Sequence, residues 1–145
     1  MTLYFAYGSN LWHTQMAERC PAASPLGRAT LDGYDVMIMG RGYATIVPRE
    51  GWTAHGGLWR LSDNCVDSLD RWEGTDGGSY VHDTTEVERL DGSRVEVMTY
   101  VATDDSAGRP TLEYATRILD GAQDFDLPDH WVAHLNDVLT RHVPS

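Results

Sequence analysis

Basic residues are scarce in this chain. Its 145 residues contain 11 Lys and Arg against 22 Asp and Glu, which gives a formal net charge of −11 at pH 7. Such a surface repels phosphate backbones and anionic lipid, and the sequence has no basic run and no basic stripe with interleaved aromatics. We therefore expect neither nucleic acid nor a membrane as a partner. An anionic ligand would need local amides or a local arginine.

Long apolar runs are also absent. No segment approaches the roughly 20 apolar residues that span a membrane, and residues 1–7 lack the basic start and long apolar stretch of a signal peptide. From these features we expect a cytoplasmic protein. The length fits a single domain, residues 1–145, and a chain of this size buries enough surface for both a core and a pocket.

Cysteine is nearly absent. The chain has two cysteines, Cys20 and Cys65, which are far apart in the sequence and form no C-x-x-C pair. They could form one disulfide, but nothing demands it in a chain with this much core. Because disulfides are rare in reducing compartments, we expect two free, buried thiols.

Strand signals dominate residues 3–103. An apolar run at Leu3–Tyr7 suits a buried strand, and Asp91-Gly92 between two alternating segments is the strongest short hairpin signal in the chain. The predicted strands are Leu3–Tyr7, Tyr34–Met39, Ala44–Pro48, Gly56–Leu61, Tyr80–Leu90 and Ser93–Thr103.

Two helices are predicted among the strands and two more after them. Ser62 is a suitable N-cap for the second helix, Gly74 is placed to end it, and Thr75–Gly78 then forms a loop. The predicted helices run from Ser9 or Asn10 to about Cys20, from Asp63 to Trp72 or Glu73, from about Thr111 to Ala122 and from about Pro128 to Arg141. Because strands and helices do not alternate regularly, we expect an α+β fold with a strongly bent or barrel-like mixed sheet and helices packed outside it.

The segment Tyr7-Gly8-Ser9-Asn10-Leu11 joins the first predicted strand to the first predicted helix. A glycine between a strand and a helix start can expose consecutive amide N–H groups, which together bind anions. Such a loop could hold a carboxylate or a developing oxyanion. The alternative is an ordinary strand-to-helix turn, which is common.

Ser9 invites interpretation as a nucleophile because it follows a strand and precedes a helix. The local sequence lacks the second glycine of the G-x-S-x-G nucleophile elbow, and no later Asp-then-His order suggests a triad. We therefore do not expect serine-hydrolase chemistry.

Glu73 lies on the predicted inward face of the second helix. Val66, Leu69 and Glu73 follow the i, i+3, i+7 spacing of one helix face. Glu73 also lies in the last turn before Gly74, where the helix dipole disfavours a carboxylate. Burial and the dipole should both raise its pKa, and perturbed carboxylates are candidates for function. The alternative is a frayed last turn with Glu73 in water.

Tyr100 lies near the end of the strand predicted at Ser93–Thr103. Alternation places Met98 and Tyr100 opposite the apolar row of that strand, which suggests a second buried surface such as a barrel interior. From the residues alone, ordinary packing with a hydrogen-bonded hydroxyl is the favoured interpretation.

A metal site is not expected. His130 and His134 are spaced i, i+4, but the glutamate of H-E-x-x-H is missing and no third ligand is suggested nearby. His55 and His82 stand alone. Arg41 could supply a local positive charge for a carboxylate, although a solvated loop residue is the more common role.

Residues Tyr4–Leu11 resemble the YFAYGSNL signature that opens the γ-glutamyl cyclotransferase and AIG2-like family. Leu69–Gly74 resembles the L-D-x-x-E-G helix end that carries the catalytic glutamate of that family. Three other segments match the family in order, and they are Ala44-Thr45-Ile46, Gly56–Leu61 and Gly78-Ser79-Tyr80. The similarity as a whole extends from about Leu3 to Leu135.

The resemblance implies a small mixed β-barrel with flanking α-helices. It implies a pocket floored by the loop residues Tyr7, Gly8, Ser9, Asn10 and Leu11, with Tyr100 lining it and Glu73 opposite as the catalytic acid and base. It also implies cleavage of a γ-glutamyl amide to 5-oxoproline and a free amine, with no metal and no organic cofactor. Relatives specific for glutathione usually have Y-G-S-L at the loop, and Asn10 disfavours that branch.

The sequence does not identify the leaving amine. It could belong to an amino acid, to a free amine or to a γ-glutamyl-protected natural product, and the acidic surface mildly favours a cationic one. Two other functions also remain: transfer of the γ-glutamyl group to a second amine, and binding of an acidic metabolite without catalysis. A buried Glu73 disfavours the binding module because it opposes a second anion.

Overall fold

The computed structural model describes residues 2–74, 78–104 and 106–140. Within these ranges five strands close into a barrel and four α-helices lie outside the sheet, so the predicted α+β fold with a barrel-like mixed sheet is confirmed. The strands are β1 Thr2–Ala6, β2 Ser24–Ile38, β3 Ala44–Leu61, β4 Tyr80–Arg89 and β5 Arg94–Ala102. The helices are α1 His13–Arg19, α2 Asp63–Glu73, α3 Leu112–Asp124 and α4 Asp129–Thr140, and a short 3-10 turn spans Ser9–Leu11.

The first strand closes the barrel. The strand order is β1-β3-β2-β4-β5, with β1 antiparallel to β3 and parallel to β5 through the pair Tyr4↔Met98. The hydroxyl of Thr99 reinforces this closure by donating to the carbonyl oxygen of Phe5 at 2.8 Å. The strand that leads into the following loop is thereby held between β3 and β5.

The second and third strands are much longer than the sequence pattern predicts. The runs predicted at 34–39, 44–48 and 56–61 are parts of one hairpin, in which β2 and β3 pair along almost their whole length. Register shifts occur between Pro25 and Gly27 and between Asp32 and Tyr34. Such irregularities bend a strand and interrupt the alternation of apolar and polar residues. For this reason the sequence pattern predicts three short strands where the structure has two long ones.

The predicted ends of α2 are confirmed. The Ser62 hydroxyl accepts a hydrogen bond from the Cys65 amide at 3.3 Å, and Gly74 adopts a left-handed conformation with φ 69° just after the helix. The Asp91-Gly92 hairpin between β4 and β5 is also present. Residues 75–77 of the predicted loop and Arg141 of the last predicted helix lie outside the described residues.

The first predicted helix is divided. Instead of one helix from Ser9 or Asn10 to Cys20, the chain forms the 3-10 turn and then α1, separated by the extended residue Trp12. The amide of Leu11 bonds to the Gly8 carbonyl and that of Trp12 to the Ser9 carbonyl, at 3.0 and 3.1 Å. The residues around Ser9 and Asn10 therefore form a tight turn rather than the start of a regular helix.

The expectation of free thiols is wrong, because Cys20 and Cys65 form a disulfide. Their Cα atoms are 5.3 Å apart, within the usual range for a bridge. Cys20 ends α1 and Cys65 lies in the first turn of α2, while the Ser68 hydroxyl donates to the Arg19 carbonyl at 2.7 Å. The packing of α1 against α2 brings the two cysteines together, and neither spacing nor composition signals that packing.

None of the helices in the described ranges is long and apolar enough to cross a membrane.

Candidate active site

A cavity of about 430 Å³ lies beside the loop that follows β1 and the end of α2. Six of the seven predicted site residues line it: Tyr7, Gly8, Ser9, Asn10, Glu73 and Tyr100. The loop and the carboxylate that the sequence separates by more than 60 positions therefore share one cavity. Their binding and catalytic roles remain predictions.

Leu11 is the seventh predicted residue, and the structure places it in the core below the loop. Its side chain is fully buried, and its amide is occupied by the Gly8 carbonyl. Gly121 of α3 packs so closely that a Cβ there would lie 2.5 Å from the Leu11 Cβ. Leu11 thus anchors the loop to α3 instead of facing the cavity.

Gly8 allows the loop to approach its neighbours closely. A Cβ at this position would lie 3.2 Å from the Cβ of Ala44 and 3.5 Å from the Tyr114 hydroxyl. The Tyr114 hydroxyl in turn accepts a hydrogen bond from the Ala44 amide at 2.9 Å. A larger residue at position 8 would push against both neighbours at the edge of the cavity.

Ser9 is held by a glutamine. Its hydroxyl oxygen accepts a hydrogen bond from Gln15 Nε2 at 2.8 Å. Within the described part of the chain, no histidine lines the cavity. The lining residues therefore offer Ser9 no imidazole base, and the absence of serine-hydrolase chemistry stays a prediction.

Asn10 is the centre of a buried hydrogen-bond network. Its Nδ2 donates to Tyr4 Oη at 3.0 Å and to Glu73 Oε1 at 3.1 Å. Its Oδ1 accepts from Gln15 Nε2 at 2.8 Å and from Arg19 Nη1 at 2.9 Å. The amide uses both donors and both lone pairs, so its orientation is determined and it holds the Glu73 carboxylate in place.

Glu73 faces inward, as its helical spacing predicts. Its side chain is 18% exposed, and Leu69, one turn earlier on the same face, is fully buried. Burial raises the pKa of Glu73, and the nearby Asp70 carboxylate raises it further. The Arg19 guanidinium, 3.9 Å away, and the Asn10 amide lower the pKa, but burial dominates.

Four further tyrosines lie at the cavity, and of these only Tyr7 was predicted as a site residue. They join Tyr100 in lining the cavity, and they are Tyr4, Tyr7, Tyr80 and Tyr114. Burial is the main cause that raises the pKa of all five phenols, so each is a neutral hydroxyl at physiological pH. Neutral phenols can donate hydrogen bonds to a ligand without adding negative charge.

Two of these hydroxyls accept hydrogen bonds from neighbouring protein groups. Tyr4 Oη accepts from Asn10 and Tyr114 Oη accepts from the Ala44 amide. A phenol oxygen that accepts still carries its own O–H donor. By contrast, Tyr80 donates to the Ala44 carbonyl at 2.7 Å, and Tyr100 donates to Asp70 Oδ1 at 2.6 Å.

Asp70 was not predicted as a site residue, but its carboxylate reaches the Tyr100 hydroxyl and also contacts His82. The signal that could have found it is its position three residues before Glu73, since i, i+3 residues are neighbours on a helix. Asp70 thus positions Tyr100 at the cavity.

Arg19 was also missed. It contacts Asn10 and Glu73 and lies over the Trp72 ring, with 4.7 Å from Cζ to the ring centroid. Nothing in its spacing marks it, because it reaches Glu73 through the packing of α1 on α2. Arg41, considered as a site for a carboxylate, lines the cavity but donates to the Ser79 hydroxyl and carbonyl.

The histidines that the structure describes lie outside this cavity. His134 pairs with Asp35 at 2.7 Å, and His130 contacts the His55 ring edge-to-face. In residues 2–74, 78–104 and 106–140, no three His, Cys, Asp or Glu side chains are grouped so that they could hold a metal ion.

Known proteins resemble this chain in sequence. A family model described as gamma-glutamyl cyclotransferase, AIG2-like, matches residues 4–121. The gamma-glutamylcyclotransferase of Mus musculus is 30% identical over 146 aligned positions, which cover 94% of this chain and 78% of the mouse protein. The human protein of the same name is 30% identical over 136 positions, which cover 87% of this chain and 72% of its own length.

Solved structures of similar proteins share the fold of this chain. One described as a gamma-glutamyl cyclotransferase superposes with a TM-score of 0.90 at 26% identity, covering 99% of this chain and 91% of that one. A human protein solved without an assigned function superposes with a TM-score of 0.89 at 27% identity, with the same coverage. The family match includes both the loop after β1 and the end of α2 that carries Glu73.

Proposed function

Because this chain belongs to the γ-glutamyl cyclotransferase, AIG2-like family and is an enzyme of that type, we propose that it cleaves a γ-glutamyl amide through attack by the substrate's own α-amine. The α-nitrogen bonds to the γ-carbonyl carbon, the original amide C–N bond breaks, and the products are 5-oxoproline and a free amine. The substrate supplies its own nucleophile at the distance of a five-membered ring, so it provides much of the required proximity.

The observation that carries this proposal is the position of Glu73. It is a mostly buried carboxylate of raised pKa, fixed by Asn10, in a cavity with no competing histidine among the described residues. Glu73 takes protons from the α-ammonium group and passes them to the leaving nitrogen, so the reaction consumes no net proton. General acid–base catalysis of this kind typically contributes about 10²–10⁴-fold.

The loop amides bind an anionic group, which the reaction needs in addition to proton transfer. Ser9 and Asn10 begin a 3-10 turn, where the first N–H groups have no intrahelical acceptor. These donors suit one of the two anionic groups of the reaction, the substrate α-carboxylate or the oxyanion of the tetrahedral intermediate. The neutral hydroxyls of Tyr4 and Tyr114 are further donors at the same cavity.

We expect pure protein to release 5-oxoproline from at least one member of a panel of γ-glutamyl amines and γ-glutamyl amino acids. Matched α-glutamyl amides should be inert, because their α-amine cannot close a five-membered lactam at the scissile carbonyl. Chromatography of the products measures both. A γ-glutamyl group passed to an added amine without 5-oxoproline would indicate a transferase, and ligand binding without turnover across the panel would indicate a binding module.

Ser9→Ala should keep turnover within about tenfold of wild type. The change removes neutral hydrogen bonds, to Gln15 and Tyr114, each worth about 1 kcal/mol, and in this mechanism the hydroxyl forms no covalent intermediate. Steady-state kinetics and mass spectrometry of the quenched enzyme test this. A loss above about 10³-fold together with an acyl group trapped on wild-type Ser9 would overturn the mechanism.

A further inference from the structure

The cavity is larger than a γ-glutamyl group requires. That group has the size of one amino acid, whereas a volume of about 430 Å³ lies in the range of pockets that enclose drug-sized ligands. With the γ-glutamyl part bound against Glu73 and the loop amides, the remaining space is available for the leaving amine.

Two of the residues that line the cavity have exposed aromatic rings. Trp72 is 62% exposed and Tyr43 is 48% exposed, and both line the cavity. Across the described ranges, five large hydrophobic side chains are exposed, and these are two of them. Aromatic side chains that line a pocket and are exposed present apolar area that a bound ligand can cover.

Both rings are held in position from one side. The Arg19 guanidinium lies over the Trp72 ring, and Tyr43 meets Tyr114 edge-to-face with 5.1 Å between ring centroids. Each ring is therefore oriented before a ligand arrives, which reduces the entropy lost on binding.

The charges around the cavity disfavour a cationic leaving group. The protein carries −11 overall, yet the cavity lining contains three arginines and two glutamates. The ionic members of this lining are Arg19, Arg41, Arg117, Glu73 and Glu113. A cation stacked on Trp72 would also lie near the Arg19 guanidinium that already uses this ring.

We propose that Trp72 and Tyr43 form a leaving-group subsite that selects γ-glutamyl amides whose amine carries an aromatic or large apolar group. The inference rests on the proposed function, and it replaces the preference for cationic amines that the overall charge suggests. Aromatic groups stack on such rings beyond the simple burial of area.

The test compares three γ-glutamyl amides that differ in the amine: benzylamine, methylamine and putrescine. Wild-type kcat/KM, measured by 5-oxoproline release, should be about tenfold or more higher for the benzylamide than for the other two. Trp72→Ala should lower kcat/KM for the benzylamide about tenfold more than for the methylamide, chiefly through KM, because the stacking is present before the transition state. Trp72→Phe should keep most of the preference.

Leu90→Ala is the matched control. Leu90 is 72% exposed but does not line the cavity, so its removal should leave all three rates unchanged. A wild-type preference for putrescine, equal rates for the three amides, or an equal loss for all of them in Trp72→Ala would overturn the subsite.

Failure of the proposed function is distinguishable from failure of the subsite. Calorimetry with the Glu73→Gln variant measures binding of the benzylamide and the methylamide without turnover. Tighter binding of the benzylamide that disappears when Trp72→Ala is added supports the subsite, whatever reaction the wild type catalyses. Equal binding of the two amides contradicts it.

Discussion

Glu73→Gln is expected to lower turnover by about 10²–10⁴-fold while the protein folds as well as the wild type, or better, at neutral pH. Glutamine keeps the shape of the side chain and can still accept the hydrogen bond from Asn10 through its amide oxygen. It cannot take a proton from the α-ammonium group or return one to the leaving amine. Substrate binding should persist because the loop amides are unchanged.

The stability half of this prediction follows from the direction of the pKa shift. Folding raises the pKa of Glu73, chiefly through burial, so the folded protein holds this proton more tightly than the unfolded chain. Below its unfolded pKa, Glu73 is protonated in both the folded and the unfolded state, so it carries no stability penalty there. The penalty grows as the pH rises through that value and levels off above the folded pKa. Glu73→Gln removes this penalty, and its benefit should appear as the pH rises above that of an ordinary glutamate.

Thermal unfolding against pH and steady-state turnover, measured on the same samples, test both halves. Glu113→Gln is the matched control, because Glu113 is the other glutamate in the cavity lining, is 78% exposed and pairs with Arg117. It should reduce turnover far less. Substantial activity in Glu73→Gln would remove Glu73 from the mechanism. An inactive variant that is much less stable at neutral pH would identify Glu73 as a structural carboxylate.

Loss of the Cys20–Cys65 disulfide is expected to lower the free energy of unfolding by about 4 kcal/mol. The bridge closes a loop between residues 45 positions apart, and in the chain-entropy account it stabilises the fold by restricting the unfolded chain. For a protein of this size the melting temperature should fall by roughly 10–15 °C.

Calorimetric melting with and without reductant measures this effect. The Cys20→Ala/Cys65→Ala double variant should melt near the reduced wild type, and reductant should not change it further. Identical melting of oxidised and reduced wild type, with reduction verified by thiol titration, would contradict the prediction. Turnover should also fall on reduction, because the bridge holds the end of α1 that carries Arg19 against the helix that carries Glu73.

Glu73 could be predicted from the sequence because its position depends on one helix. The spacing of Val66, Leu69 and Glu73 defines the inward face, and Gly74 marks where the helix ends. The fold class followed in the same way from the order of local signals, since the Asp91-Gly92 turn and the cap at Ser62 each act within a few residues.

The rest of the site depends on contacts between distant elements. Arg19 reaches Glu73, and Cys20 reaches Cys65, only after α1 has packed on α2. Asn10 belongs to the recognised motif, but its role as the centre of a network needs Gln15 and Arg19 from α1 as well as Glu73 from α2. No periodicity or spacing within a single segment carries that information.

Closure of the barrel by β1 has a consequence for how the protein folds. The Tyr7 hydroxyl donates to the Tyr100 carbonyl across 93 positions of the chain, and Thr99 reaches Phe5 across 94. Contacts of such long range carry a large loop-closure entropy and slow the folding reaction. During synthesis the loop after β1 emerges before β5, so the contacts that close the barrel beside this loop can form only after β5 has left the ribosome. The surroundings of the loop after β1 are therefore completed only when a strand about 90 residues later in the chain has paired with β1.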